Sequence, residues 1–274
     1  MRSCLNLLLL LAALFIGSCQ DVVKVNVPST APVLAVDGWI TDRSGGDTIT
    51  LYKTQTYFDN SRNNVVTGAL LSVSSGSTNE DLKEILPGKY RVRTIRATQG
   101  ANITLHINRS GARYEATTQI ARTSPVLDSV KFQYQAKSPI FDTAGYYLYL
   151  FGQEIPGIGD HVQIKFYING VLQNFKEDLN VLSDQFTDGK YLNGFRVAQR
   201  SPFKRYQKVW VETWSLSADN YNFYADIRTQ INNQGIFSRT PVNVRTNVIA
   251  LGGAPAVTGY FGGSLVHRYS TTVY

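Results

Sequence analysis

Beyond residue 32 the chain is a succession of short stretches in which apolar and polar residues alternate. Thr48-Ile49-Thr50-Leu51-Tyr52 and Asn102-Ile103-Thr104-Leu105-His106-Ile107 follow a period of two, and from His161 to Ile168 the residues Val162, Ile164, Phe166 and Ile168 share one face. That period is the signature of a strand with one buried face. The same reading predicts strands over 33–40, 65–74 (with Gly68 inside), 90–93, 112–120 and 126–136, with Gly45-Gly46, Pro87-Gly88 and Ser110-Gly111 as turns. Residues 146–151 (YYLYLF) are apolar on both faces, which predicts a central strand. Asn169-Gly170 supplies the two left-handed residues of a type I′ turn, so 161–168 and 171–175 are predicted to form a hairpin. A long strand is expected over 208–216 with Trp210 and Trp214 on one face, and closing strands over 240–249 and 259–266.

One segment breaks the pattern. Tyr221, Tyr224, Ile227 and Ile231 recur at helical spacing behind Ser217, a good N-cap, and Gly235 is placed to end the helix. The expected fold is mainly β: two β-sandwich-like domains, the first immunoglobulin- or transthyretin-like over 33–122, the second over 123–274 with one helix near 217–234. Thr123-Ser124-Pro125 marks the boundary between them.

The first 32 residues read differently. Arg2 precedes an apolar run over 5–16 that is broken only by Asn6. The run is shorter than the roughly 20 residues of a spanning helix, so it reads as the apolar core of a signal peptide over 1–18. It ends in Ile16-Gly17-Ser18-Cys19, which resembles the lipobox of bacterial lipoproteins, and this makes Cys19 the expected lipidation site. Residues 19–32, with Pro28 and Pro32, read as a tether. Of the two cysteines, Cys4 leaves with the leader and Cys19 takes the lipid, so no disulfide, thiol nucleophile or cysteine metal site is expected. Several acyl chains on one residue anchor stably, where a single chain does not. The expected place is the outer membrane, lipid-anchored in the bilayer and exposed at the cell surface.

Composition narrows the chemistry. At 43% hydrophobic the chain has ample material for a core, and at 17% charged it falls below the roughly 25% typical of soluble domains. The 27 basic against 20 acidic side chains give a net charge of +7. The basic residues fall mainly in Arg91–Arg113 and Arg196–Lys208, the latter interleaved with Phe203 and Tyr206. Such a patch suits nucleic acid, but an exported protein meets little of it. Anionic glycan or lipid head groups are the alternative partners, and no nucleic-acid role is expected.

No motif points to catalysis. His106, His161 and His267 lie far apart with no ligand spacing, and neither a nucleophile elbow nor a phosphate loop is present. No enzyme activity, cofactor or metal site is therefore expected. Asp184-x-x-x-Asp188-Gly189 is a polar stretch that offers part of a calcium shell or a plain solvated turn. A carboxylate pair for hydrolysis would form in space and not in sequence, which keeps a glycan or peptide hydrolase as a lesser alternative. Asp47-Thr48-Ile49, Asp128-Ser129-Val130 and Asp142-Thr143-Ala144 resemble a three-residue O-glycan acceptor, making Thr48, Ser129 and Thr143 candidate modification sites.

The layout as a whole resembles a known family. Val33 to Asp42 (VLAVDGWITD) after the lipobox, Thr67-Gly68-Ala69, Gly111-x-x-Tyr114 and Asp128-Ser129 are similar to a Bacteroidota cell-envelope lipoprotein family, domain of unknown function 4249. The segments Asn243-Val244-Arg245-Thr246-Asn247-Val248 and Gly259-Tyr260-Phe261-Gly262-Gly263-Ser264 are the most specific parts of the resemblance. It implies a cell-envelope lipoprotein, often encoded beside a TonB-dependent transporter. Together with the lipobox, the two β domains and the abundant aromatic residues, it makes a substrate-capturing accessory of such a transporter, serving nutrient uptake with a glycan or peptide ligand, the leading expectation. It brings no catalytic residues. An adhesin or structural surface module without a small-molecule ligand is the alternative. The glycines of residues 259–263 are expected to be structural, since glycine permits turns and close backbone approach.

Overall fold

The computed structural model describes residues 31–55, 64–233 and 243–274. The leader, Cys19, most of the tether, Gly235 and the start of the expected strand 240–249 lie outside the described residues.

Eight strands come first: β1 (Leu34–Thr41), β2 (Asp47–Lys53), β3 (Leu70–Ser75), β4 (Thr78–Asp81), β5 (Lys83–Leu86), β6 (Lys89–Val92), β7 (Asn102–Arg109) and β8 (Ala112–Gln119). The middle of the chain adds β9 (Val126–Gln135), β10 (Gly145–Gln153), β11 (His161–Ile168), β12 (Val171–Leu172), β13 (Asn180–Ser183), β14 (Tyr191–Arg196) and β15 (Lys208–Leu216). A helix, α1 (Ala218–Ile231), precedes β16 (Val248–Leu251), β17 (Val257–Ser264) and β18 (Val266–Thr272).

The alternation becomes two sandwiches. In the first, a sheet ordered β17-β1-β2-β6-β5 faces a sheet ordered β16-β8-β7-β3-β4. Ile40, Ile49, Leu51, Tyr90 and Phe261 from one sheet meet Val73, Ile103, Leu105, Tyr114 and Val248 from the other in a single core. In the second, β14-β10-β9 faces β12-β11-β15-β18, with β13 also paired to β11. Leu148, Leu150, Ile164, Phe166, Phe203, Val209 and Val211 fill that core. The mainly β, sandwich-like expectation holds, and β10 is central in its sheet as the YYLYLF pattern implies.

The expected boundary at 122/123 does not separate the two bodies. β17 lies parallel to β1 over its whole length, Leu34 opposite Val257 through Thr41 opposite Ser264, and β16 pairs with β8. The C-terminal strands therefore complete the first sandwich. Most of the second body is inserted between β8 and β16. After β17 the chain crosses back at Leu265, where Leu265 N–H donates to Ser215 Oγ (2.9 Å) and Ser215 N–H donates to the Leu265 carbonyl (3.0 Å).

Several element boundaries also differ from expectation. The strand predicted over 65–74 begins only at Leu70, because Gly68 is in the left-handed region (φ +70°) and Val65 makes an isolated bridge to Tyr52. The Asn169-Gly170 turn is present with φ +50° and +84°, but its return arm is the two-residue β12 and not 171–175. The chain turns away through a short 3₁₀ segment, and β13 then takes the rest of the same β11 edge, pairing over 161–164. Residues 243–247 are not strand, and 259–266 is the body of β17 plus the first residue of a separate β18. α1 starts as predicted: Asn220 N–H donates to Ser217 Oγ (3.2 Å).

Candidate functional site

The two sandwiches meet along a seam whose residues come from both. The outer face of β1 presents Trp39. Its indole Nε1–H donates to Ser264 Oγ (2.9 Å), and its ring lies 5.4 Å from Tyr224, 6.4 Å from Trp214 and 6.4 Å from Tyr260. Across from it, the face of β11 that turns away from the second core carries His161, Gln163, Lys165 and Tyr167, alternate residues of a pleated strand. The adjoining β15 places Glu212 opposite Lys165 and Trp214 opposite Gln163.

Glu212 is the electrostatic centre of the seam. Its side chain is wholly buried and takes donations from Arg268 Nε (2.8 Å), Trp214 Nε1 (2.8 Å), Tyr167 Oη (3.1 Å) and Arg43 Nη1 (3.2 Å). Arg43 comes from the turn after β1 and Arg268 from β18, so one carboxylate joins the bodies. Burial pushes the Glu212 carboxyl up, but hydrogen bonds from Arg268 and Trp214 and the charges of both arginines outweigh it and hold the group below the usual range. Lys165 lies 3.3 Å from the centroid of the Trp214 ring and has no hydrogen-bond acceptor among the described residues. Burial lowers its ammonium from an ordinary 10.5 to about 7; Glu212, Asp37 and Asp47 resist that shift, while Arg43 adds to it.

A second constellation lies at one end of the second sandwich. Carboxylate oxygens of Glu154, Asp160 and Asp184 fall within 4.8 Å of one another. They border a cavity of about 90 Å³, lined otherwise by Leu127, Leu150, Ile164, Leu182 and Phe195 among others. The backbone organises them: Gly159 and Asp160 N–H groups donate to Asp184 Oδ2 (2.8 and 3.0 Å), and Gly189 N–H donates to Glu154 Oε2 (3.1 Å). Arg122 forks onto the Asp160 carboxylate and also donates to the Pro156 carbonyl (3.1 Å). Burial pushes the Glu154 carboxyl up; the Gly189 hydrogen bond opposes this, and the charges of Asp160 and Asp184 add to it.

The Asp184 to Asp188 stretch thus divides. Asp184 joins this cluster, while Asp188 Oδ1 accepts from Gly157 N–H (2.6 Å). With one oxygen each, three carboxylates supply half or fewer of the six to eight oxygens that calcium takes, and Arg122 already pairs with one of them. Glu154 and Asp160 were not legible as members, since they lie 24–30 residues from Asp184 in sequence.

The remaining candidates are scattered. Thr48 and Thr143 are exposed, and Ser129 is half-buried within the β9–β10 ladder. His106 pairs with Glu115 at 3.3 Å, His161 stacks on Tyr221 at 4.4 Å, and His267 Nε2 meets Thr123 Oγ1 at 2.8 Å, so the three histidines form no cluster. The basic run 196–208 is partnered by rings: Arg196 over Phe141 (5.0 Å), Arg200 over Phe175 (3.8 Å) and Arg205 over Tyr206 (5.3 Å).

The two C-terminal motifs have packing reasons. The Asn247 side chain donates to the carbonyls of Thr117 (3.1 Å) and Phe261 (2.7 Å) and accepts from Phe261 N–H (2.9 Å), bridging β8 and β17. A Cβ at Gly262 would stand 2.3 Å from the Trp39 ring, so the indole can lie in the seam only over a glycine.

Among the described residues no helix is long and apolar enough to cross a membrane. The chain matches, over residues 20–270, the family described as domain of unknown function (DUF4249), and it belongs to that family. No curated protein matches it.

Proposed function

We propose, taking membership of this family as the premise, that the protein is a lipid-anchored outer-membrane lipoprotein of the Bacteroidota envelope. In this reading it is exposed at the cell surface and captures substrate for a TonB-dependent transporter. The observation that carries the reading is the position of Cys19: a lipobox cysteine stands one residue before the start of the matched region. The fold supports a presenting body more than a flexible one. Arg43 and Arg268 converge on Glu212, and the chain passes between the two sandwiches more than once, so a ligand surface on one would be held rigidly with respect to the other.

Two measurements test this. Metabolic labelling with palmitate is expected to mark the wild-type protein and not Cys19→Ala; continued labelling of the variant would refute the anchor. Affinity purification of the tagged protein from detergent-solubilised membranes is expected to recover a TonB-dependent transporter. Membranes that yield none, from cells whose attachment to surfaces depends on the gene, would favour an adhesin instead.

A further inference from the structure

The strands and helix that close the first sandwich leave a pocket that the seam does not use. It has a volume of about 410 Å³ and is lined by Thr117, Gln119, Asp219, Arg245, Thr246 and Tyr260 among others. That volume falls within the roughly 300–1,000 Å³ of small-molecule sites. The start of α1 forms one wall, and the end of β8 and residues 245–247 form the rest.

Tyr260 closes the pocket from below. The residue is only 4% exposed, yet its hydroxyl, which opens into the pocket, has no hydrogen-bond partner among the described residues. It is not among the buried unpartnered side-chain atoms of the described residues, which are His161 Nδ1 and Gln163 Oε1, so a molecule in the pocket can reach it. Its ring is fixed by Phe223, stacked at 4.2 Å and 18°, and by Trp39 at 6.4 Å. The hydroxyl is therefore held in place and cannot turn away to find a partner. Burial and the charge of Asp219 push it up against the opposing charge of Arg245, so it stays a donor at ordinary pH.

The surrounding groups have spare capacity of both kinds. The first-turn N–H groups of Ala218 and Asp219 have no partner within the helix. Arg245 uses Nε (2.7 Å) and Nη2 (3.3 Å) on Asp226, and its Nη1 has no partner among the described residues. The Asp219 carboxylate and the Gln119 amide are exposed at the rim. The charged lining residues are Arg245, already paired with Asp226, and Asp219 at the rim, which disfavours an anionic ligand. Almost every other lining group is polar, which disfavours an apolar one. Phe223 already stacks on the Tyr260 ring, so Tyr260 offers the pocket chiefly its hydroxyl.

We propose that this pocket binds a neutral polyhydroxylated ligand, a single sugar residue held by Tyr260, Arg245, Asp219 and Gln119. The proposal deepens the capture reading by naming a ligand class, but purified protein tests it without any transporter. Full-length protein in detergent would be titrated calorimetrically with D-glucose, D-galactose, D-mannose and N-acetyl-D-glucosamine, and separately with inorganic phosphate. At least one sugar is expected to bind, and Tyr260→Phe is expected to weaken it about tenfold, the effect of one hydrogen bond, with an unchanged melting temperature. Gln119→Ala, at the exposed rim, is a second variant expected to weaken binding without touching the core. No sugar binding tighter than about 10 mM, phosphate binding in place of sugar, or Tyr260→Phe and Gln119→Ala both binding as wild type would each overturn it. Sugar binding without recovery of a transporter would leave this proposal standing and count against the partner reading alone.

Discussion

Lys165 shows how much one side chain in the seam responds to its surroundings. An ammonium over an indole ring gains a cation–π contact, but loses more by leaving water. Its folded-state value of about 7 lies below the ordinary 10.5, so between those values the unfolded chain holds the proton and the folded chain does not. Stability therefore rises with pH across that window, and below about 7 the full penalty of the buried charge is present. Glu212, held low by its two arginines, works on the acid side: its contribution is present above the ordinary carboxylate value and is lost as pH falls through its folded value. The measurable consequence is a comparison of wild type with Lys165→Met by thermal denaturation. Wild type is expected to gain on the variant by several degrees as pH climbs from about 7 toward 10.5, at about 2–4 °C per kcal/mol for a chain of this size class. A difference that is flat over this range would show that Lys165 is solvated as in water.

At the scale of elements, β17 is where the sequence constrains the fold most tightly. Gly259 has φ +93°, and a Cβ there would stand 2.0 Å from the Val36 carbonyl oxygen and 2.5 Å from the Val36 nitrogen. Both atoms belong to the parallel partner strand and cannot give way. Gly252 is also left-handed (φ +59°), but a Cβ there would meet only the end of the Arg113 side chain at 3.7 Å. Gly259→Ala is therefore expected to cost at least about 3 kcal/mol, and Gly252→Ala only about 1 kcal/mol, the backbone penalty alone. Urea denaturation would read both, and equal costs would mean that the β1–β17 approach is not what selects glycine at 259. Elements of this kind explain what could be read in advance. The hairpin turn at Asn169-Gly170 and the cap at Ser217 are local, so sequence showed them. Polar strands such as β4 (TNED) and β18 (VHRYSTT) carry no alternation that separates them from loops; only their neighbours make them strands. Asp184 stood out beside a glycine turn, whereas Glu154 and Asp160 join it only through the pairing of β11 with β13 and the loops that follow β10. Tyr260 looked like part of a glycine-rich turn motif, and its ring is held beneath the pocket by Phe223 and Trp39, distant in sequence.

The whole molecule inverts the simplest view of the chain. Two runs of strands suggested two domains in series, each closed before the next began. Instead β1 waits for β17 and β8 waits for β16, so the first sandwich cannot be completed until nearly the whole chain is present. A fragment covering 31–122 would expose the open edges of β1 and β8. It would also lose Phe261 and Val248 from its core, where they are 0% and 4% exposed. Two such side chains are worth about 3–6 kcal/mol, and the lost ladders and edge pairing add to that, against a total stability of about 5–15 kcal/mol for a typical domain. The fragment is therefore expected to show no cooperative thermal transition and no dispersed amide spectrum. Appending residues 243–264 through a flexible linker is expected to restore both. A short linker suffices, because β16 runs antiparallel to β8 and its start lies beside the end of β8. A cooperative transition in the bare fragment, at the temperature of the intact protein, would show that the first sandwich closes without its C-terminal strands. The inserted body would then be a separable domain and no longer part of one folding unit.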